Sequence, residues 1–445
     1  MSALVIGALY GGVTLLVLFA GVPIAFALGA VAVGFMLVFM PLSSLGIVAQ
    51  NVYQEIANVT LLTIPLFILK GAAIGRSRAG ADLYNALYVW MNRIPGGLGV
   101  ANVIACTLFA AMAGSSAATC SAIGSAGIPE LRRRGYSPGF SAGLIAAGGT
   151  LGILLPPSIT MILYAVAAEQ SLGRLFLAGL VPGLFLSSMF ACYAVMRYLV
   201  ELRGARKKDE NHAILRVDKF TMRDRIKALP RILPFLILLI GVMGALYGGF
   251  ASPGETAGMG AILALVLVAA IYGIWRPSDF GPLLFASVRE STMVIMIVGM
   301  SLLYSMVMSY LHISQSAAEW IVAQHLSPWL LLLAILLMVM VLGFFLPPAS
   351  IILMTAPVIL PPLRSAGFDL VWFGVVMTVV MEMGLIHPPV GLNLFVIKNI
   401  APDISYSELV WGTLPFVAIM LLAVVLICAF PAIAMWLPRI LMGGT

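Results

Sequence analysis

Charge is what this sequence has least of. Only 9% of its 445 residues are Asp, Glu, Lys or Arg, against 62% hydrophobic, and the mean hydropathy is +1.10. A soluble domain carries about a quarter of its residues as charges, so a soluble globular fold is excluded. Cysteine is as sparse. Cys106, Cys120, Cys192 and Cys428 lie scattered through apolar segments, without metal-ligand or disulfide-framework spacing, and read as small packing residues. No transition-metal site is expected. No Gly-rich loop closes on Lys-Ser/Thr, which argues against an ATP-driven pump. Paired acids, a Ser/His couple or a metal cluster within the apolar segments are also missing, which argues against an intramembrane enzyme. The start lacks a basic stretch before its first apolar run, so no cleavable signal is expected.

What is present is long apolar sequence, such as Leu4 to Ala20 and Leu330 to Phe345. A crossing helix needs about 20 apolar residues, whereas barrel strands are about ten residues long and alternate in polarity. The fold class is therefore all-α, a polytopic helical membrane protein. The net charge of +7 fits basic cytoplasmic loops in a lipid bilayer better than a nucleic-acid partner.

One polar segment interrupts the apolar chain, from Arg197 to Arg231. It suggests a first membrane repeat over 1–200, a charged cytoplasmic linker over 201–231 and a second repeat over 232–445. The halves match at a constant offset. Pro129 pairs with Pro361 and Gly135 with Gly367 (361 − 129 = 367 − 135 = 232), and Gly152, Pro156 and Pro157 pair with Gly384, Pro388 and Pro389. Each half reads as three crossings, a short hairpin, a broken crossing and a last crossing. The expected segments are about 3–20, 22–40, 57–75, 115–131, 137–168 and 174–200, then 232–251, 254–275, 282–310, 347–363, 370–401 and 410–437.

A re-entrant hairpin returns to its own side, so each half makes an odd number of crossings and the second half is inverted. Charge agrees: with the N-terminus outside, all but Arg174, Arg364 and Arg439 of the 24 Lys and Arg fall on the cytoplasmic side, as the positive-inside rule expects of inverted repeats.

The hairpins about 115–131 and 347–363 place small and hydroxyl residues at mid-membrane depth. Non-helical backbone is tolerated there only inside protein or beside a watery cavity. Ser115, Ser116 and Thr119 mark the first tip, and "FLPPAS" marks the second. The following segments, "AAGGTLGILLPPS" and "MEMGLIHPPVGLN", carry Gly148, Gly149, Thr150, Gly152, Pro156 and Pro157, then Glu382, Gly384, Pro388, Pro389 and Asn393. Gly and Pro at these positions interrupt helical hydrogen bonding. A broken helix facing a hairpin tip offers hard oxygen ligands suited to a small cation, and two such sites at an inverted-repeat interface point to a transporter. Close packing by small residues is the competing explanation, and the mirrored pair favours transport.

Glu382, an acid in an apolar segment, is either a cation ligand, proton carrier or coupling group, or a structural hydrogen-bonding residue. His387 stands alone and reads as structural. Asn393 orients a substrate or caps broken backbone. Lys70 is expected to snorkel at a cytoplasmic helix end, and Glu255 to cap the helix after "SPG".

Over nearly the whole chain the motifs resemble the large membrane subunit of the TRAP (tripartite ATP-independent periplasmic) transporters. They include "TIPLFILKGAAIG", "RIPGGLGVANVIACTLFAAMAGSSAAT", "AAGGTLGILLPPSITMILY" and "FGVVMTVVMEMGLIHPPVGLNLF". The resemblance implies an elevator-type secondary transporter in the bacterial inner membrane, with sodium as coupling ion and no other cofactor. It also implies a small four-helix membrane subunit, a periplasmic solute-binding protein and an organic-acid substrate such as a C4-dicarboxylate. By motif it assigns one sodium site to Ser115, Ser116 and Gly148 to Thr150. A second falls to Ala349, Ser350, Glu382 and Gly384, with Thr119, Pro348 and Asn393 near the substrate. Two departures touch the second site: Pro347 stands where many relatives carry an acid, and His387 where many carry Thr. The alternative is a self-sufficient dicarboxylate or citrate carrier of similar architecture, which would need no binding protein.

Overall fold

The computed structural model describes residues 2–57, 59–207, 220–323 and 327–443. Among these the protein is helical without strands. The helices are α1 (Ala3–Phe19), α2 (Ile24–Phe39), α3 (Leu45–Ile56), α4 (Thr63–Arg76), α5 (Ala79–Met91), α6 (Gly97–Ala113), α7 (Ser116–Arg133), α8 (Pro138–Leu154), α9 (Ile159–Ala167) and α10 (Leu172–Lys207). After the linker come α11 (Met222–Tyr247), α12 (Pro253–Tyr272), α13 (Pro277–Tyr310), α14 (Ile313–Ala323), α15 (Pro328–Gly343), α16 (Pro348–Ser365), α17 (Leu370–Ile386), α18 (Leu392–Ile400), α19 (Tyr406–Ala429) and α20 (Ala432–Met442). The ends of the expected linker, 201–207 and 222–231, continue α10 and α11, and its centre, 208–219, lies outside the described residues.

The offset of 232 survives in the helix boundaries. Helix α16 starts and ends 232 residues after α7 (348 − 116, 365 − 133), and α17 does the same relative to α8 (370 − 138, 386 − 154). Gly135 and Gly367 share a left-handed φ of 84° after the hairpins, and the Pro156-Pro157 and Pro388-Pro389 bonds are both cis.

The hairpins are larger than expected. The ranges 115–131 and 347–363 are only their second arms. The first arms are α6 and α15, which the expected list of crossings omits together with α5 and α14. Helix α5 has 13 residues, about 20 Å of helix. It is too short to cross, and Arg78 and Arg93 flank it. Helix α6 is rich in Gly and Ala and ends at Gly114, whose φ of 65° lets the chain turn into α7. Helix α6 packs on α5, α8 and α10 as well as on α7.

Each break has a local cause. Pro156-Pro157 ends α8, Ser158 caps α9 by accepting from the Met161 N–H at 3.3 Å, and the two helices meet at 42°. In the second repeat, Asp369 caps α17 through the N–H groups of Val371 and Trp372, and Gly391, at φ 57°, starts α18. The capping expected of Glu255 is present: with Ser252 it forms a reciprocal box at the start of α12. Lys70 departs from expectation. It is buried within α4, its ammonium 5.1 Å from the centre of the Phe67 ring and its stem against Gly260, so it does not snorkel at a helix end.

Buried side chains form two hydrophobic clusters. A small cluster joins α1, α2 and the end of α13, with Tyr10 stacked on Tyr304 at 4.2 Å. The large core contains both hairpins and both broken helices. Within it the halves interlock: α7 packs on α18 of the other repeat, and α16 packs on α9. Many exposed side chains are large and apolar, including Leu16, Ile237, Ile262, Phe285, Leu333 and Val425, as lipid contact requires.

Candidate functional site

The first hairpin tip sits directly on its broken helix. At Gly152 an added Cβ would lie 2.6 Å from the Ser115 carbonyl oxygen and 2.8 Å from the Ser116 nitrogen, so only glycine lets these two backbones touch. Gly114 makes the matching approach to Pro157, whose carbonyl oxygen would stand 2.6 Å from a Cβ. Ser115 caps α7 by accepting from the Ala118 N–H, and its carbonyl accepts from the Thr119 hydroxyl at 2.8 Å. Thr150 is buried and donates to the Ala147 carbonyl at 2.6 Å. Gly149 faces Cys120, the Ser116 carbonyl and Asn393, whereas Gly148 faces Cys106 of α6 and lies away from the tip.

Asn393 completes this site from the other repeat. Its Nδ2 donates to Ser116 Oγ at 2.8 Å and to the Ala146 carbonyl at 3.2 Å. The structure thus brings together Ser115, Ser116, Thr119, Gly149, Gly152 and Asn393. The tip carries carbonyl and hydroxyl oxygens in a dry setting, a donor set that fits a small hard cation. Thr119 and Asn393 are buried and engaged with the tip itself.

The second tip is built differently. Pro347, the counterpart of Ser115, caps α16 without a side-chain bond, and Pro348 and Ala349 follow in the first turn. Ser350 is buried, and its hydroxyl has no partner among the described residues. Gly384 packs on the backbone of Gly343, four residues before the Pro347 position that the repeat would predict. His387 stacks on Phe344 at 4.7 Å, with Nδ1 2.5 Å from the Pro388 carbonyl oxygen. That fits the structural role expected of it. Pro156 and Pro157 are buried, while Pro389 is exposed.

Glu382 lies where the two broken helices cross. It is 1% exposed, beside the Ile153 backbone of α8 and near Cys120 of the first hairpin. Neither carboxylate oxygen has a hydrogen bond of acceptable geometry among the described residues. No hydrogen bond joins it to Ser350, its expected companion. Gly343 carries no repeat signal in the sequence, because its counterpart is Ala111, and nothing in the sequence places Cys120 against Gly149. The only signal for Cys120 was its nearness to Thr119.

Relatives agree with this architecture. Residues 12–433 match the family described as the tripartite ATP-independent periplasmic transporter, DctM component. The chain is 35% identical over 403 residues to the C4-dicarboxylate TRAP transporter large permease protein DctM of Pseudomonas aeruginosa, covering 91% of each. It is 31% identical over 405 residues to the ectoine TRAP transporter large permease protein TeaC of Halomonas elongata, covering 91% of this chain and 92% of that one. Among solved structures, the YdaH transporter of Alcanivorax borkumensis shares the fold, with a TM-score of 0.67 at 15% identity over 96% of this chain and 99% of that one. A hairpin packed on a broken helix in each half, with these relatives along almost the whole length, places the chain in the DctM family of TRAP transporter large permeases.

Proposed function

We propose that this permease imports an organic anion, a C4-dicarboxylate or a related carboxylate, across the bacterial inner membrane, driven by sodium. A periplasmic binding protein delivers the substrate, and a small four-helix membrane subunit extends the scaffold. The family assignment supports the tripartite arrangement over a self-sufficient carrier. The observation that carries ion coupling is Glu382. A buried carboxylate with no more than the Ile153 backbone beside it is costly unless a proton or cation neutralises it, and it stands at the crossing of the two helices that support both tips.

In the mechanism, sodium settles among the oxygens around Ser115, Ser116 and Thr150 and orders the first tip. A second ion at the Ala349–Ser350 tip orders the other. The anion binds between them, with the first turn of α16 at Pro348 on one side. The body containing both hairpins and both broken helices then slides as an elevator against the α1–α2–α13 cluster. Glu382 senses the ion through α8 and α17, whose packing holds both tips.

The test is thermal unfolding of the purified chain in sodium and in choline at equal ionic strength. A ligand specific to the native state stabilises by about 2.7 kcal/mol at a hundredfold excess over Kd. The expected outcome is a sodium-specific rise in Tm that Ser116→Ala abolishes. A rise that survives the substitution removes the first tip from the ion site. A rise that follows pH instead of sodium assigns the coupling to a proton on Glu382.

A further inference from the structure

The pseudo-twofold relation produces two cavities as well as two tips. One, of about 520 Å³, lies at the cytoplasmic end of the first hairpin, with Pro129, Arg132 and Ala401 in its wall. The other, of about 420 Å³, lies at the opposite end of the second hairpin, with Pro361, Arg364 and Glu169 in the equivalent places. Each pair is separated by the same 232 residues. Charge distinguishes them. In the first cavity the guanidinium of Arg132 is taken by Asp403 at 2.6 Å. In the second, Ser171 replaces that aspartate in sequence, and among the described residues neither Arg364 nor Glu169 has an ion-pair partner.

Further groups close the outer cavity. Ser305 and Ser309 of α13 and Ser314 and Gln315 of α14 line it. Ser314 is 6% exposed, and its hydroxyl has no partner among the described residues. It stands in the first turn of α14, where free N–H groups favour an anion. Of the two non-glycine residues with positive φ among the described residues, Glu169 at 53° lies in this wall, and His312 at 54° sits between Ser309 and Ser314, which line it. Such backbone is costly for side-chain-bearing residues and persists where the surroundings hold it.

We propose that the outer cavity is a subsite for a small carboxylate whose far end is cationic or donates hydrogen bonds. The carboxylate lies on Arg364 and the first turn of α14, and the far end meets Glu169. This rests on the reading of the chain as a carboxylate importer for the direction of flow, and of the two cargoes named there it selects the related carboxylate over the C4-dicarboxylate: an anion with a donor end is held at the outer mouth, and the second charge of a dicarboxylate is repelled by Glu169. The inner counterpart, with its arginine already paired, retains no such ligand on release.

The probe is labelling of Ser309→Cys in the full chain, with Cys192→Ser and Cys428→Ser, in right-side-out membrane vesicles and with an impermeant maleimide. β-Alanine should slow labelling at least fivefold and succinate less than twofold. Arg364→Gln should remove the protection, and Glu169→Gln should raise protection by succinate to that by β-alanine. Labelling of Gln315→Cys provides the same readout should the first cysteine itself fill the cavity. Absence of protection at both positions overturns the proposal, as does protection retained in Arg364→Gln or succinate protecting as well as β-alanine in the parent. Labelling needs neither sodium nor turnover. Failure here with sodium-driven uptake intact therefore overturns the subsite alone, and loss of uptake with protection intact overturns only the transport reading.

Discussion

The two hairpins share a blueprint and differ in how they are held. The first has its tip backbone against Gly152, its serine clamped by Asn393 and its break buried. The second has a proline where the serine would be, an exposed Pro389 and a seat on Gly343 one helical turn earlier. Identical helix boundaries therefore do not produce identical sites. The repeat fixes where elements begin and end, and a few side chains at the tips decide how firmly each arm docks. The first hairpin is the firmly held member of the pair, and the second is the looser one.

The largest expected effect tests the firmly held member. Gly152→Ala pushes a methyl group into the Ser115–Ser116 peptide and should abolish sodium-driven uptake in proteoliposomes. Overpacking of this kind costs about 1–3 kcal/mol, which the unfolding curve will register. Activity close to wild type would show that the contact is not needed. Next comes Glu382→Gln, which removes the buried charge and keeps the shape. Uptake should fall at least tenfold and the sodium-dependent rise in Tm should disappear, while the protein remains folded at 25 °C. Asn393→Ala sharpens the contrast between the halves. Losing its bonds should cost about 1–2 kcal/mol and raise the half-saturating sodium concentration severalfold. The matching change in the first repeat, Met161→Ala, should leave sodium affinity unaltered.

The smallest effect is at the surface. Arg132 holds the Asp403 carboxyl below its ordinary range, chiefly through their hydrogen bond. The lowered folded value means that the pair stabilises above the ordinary aspartate range, about pH 4, and that its contribution is lost as pH falls through the lowered value. Both side chains are substantially exposed, 38% and 57%, so solvent and salt screen them. Arg132→Gln should leave Tm at pH 7 within measurement scatter.

Much of this was legible in the sequence because punctuation is local. Gly, Pro and their spacing fix where helices break, and the offset of 232 carried straight into the boundaries of α7, α8, α16 and α17. The first hairpin arms were not legible. Helix α6 is made of small residues that merge with the tip, and without it the strongly apolar α15 had no counterpart to justify its place. The seat of Gly384 on Gly343 was hidden for a similar reason, since Ala111 at the matching position breaks the pattern. Nor does any periodicity show that Asn393 bonds Ser116, or that Glu382 faces α8. These depend on how helices cross, which alternation along one chain does not encode.

That Asn393–Ser116 contact sets a timetable. The two residues are 277 positions apart, and at about 5–20 residues per second a ribosome needs roughly 15–55 s to make the second after the first. Throughout that interval the first tip sits in the membrane without its clamp. The first hairpin is therefore assembled only when the second broken helix has been made.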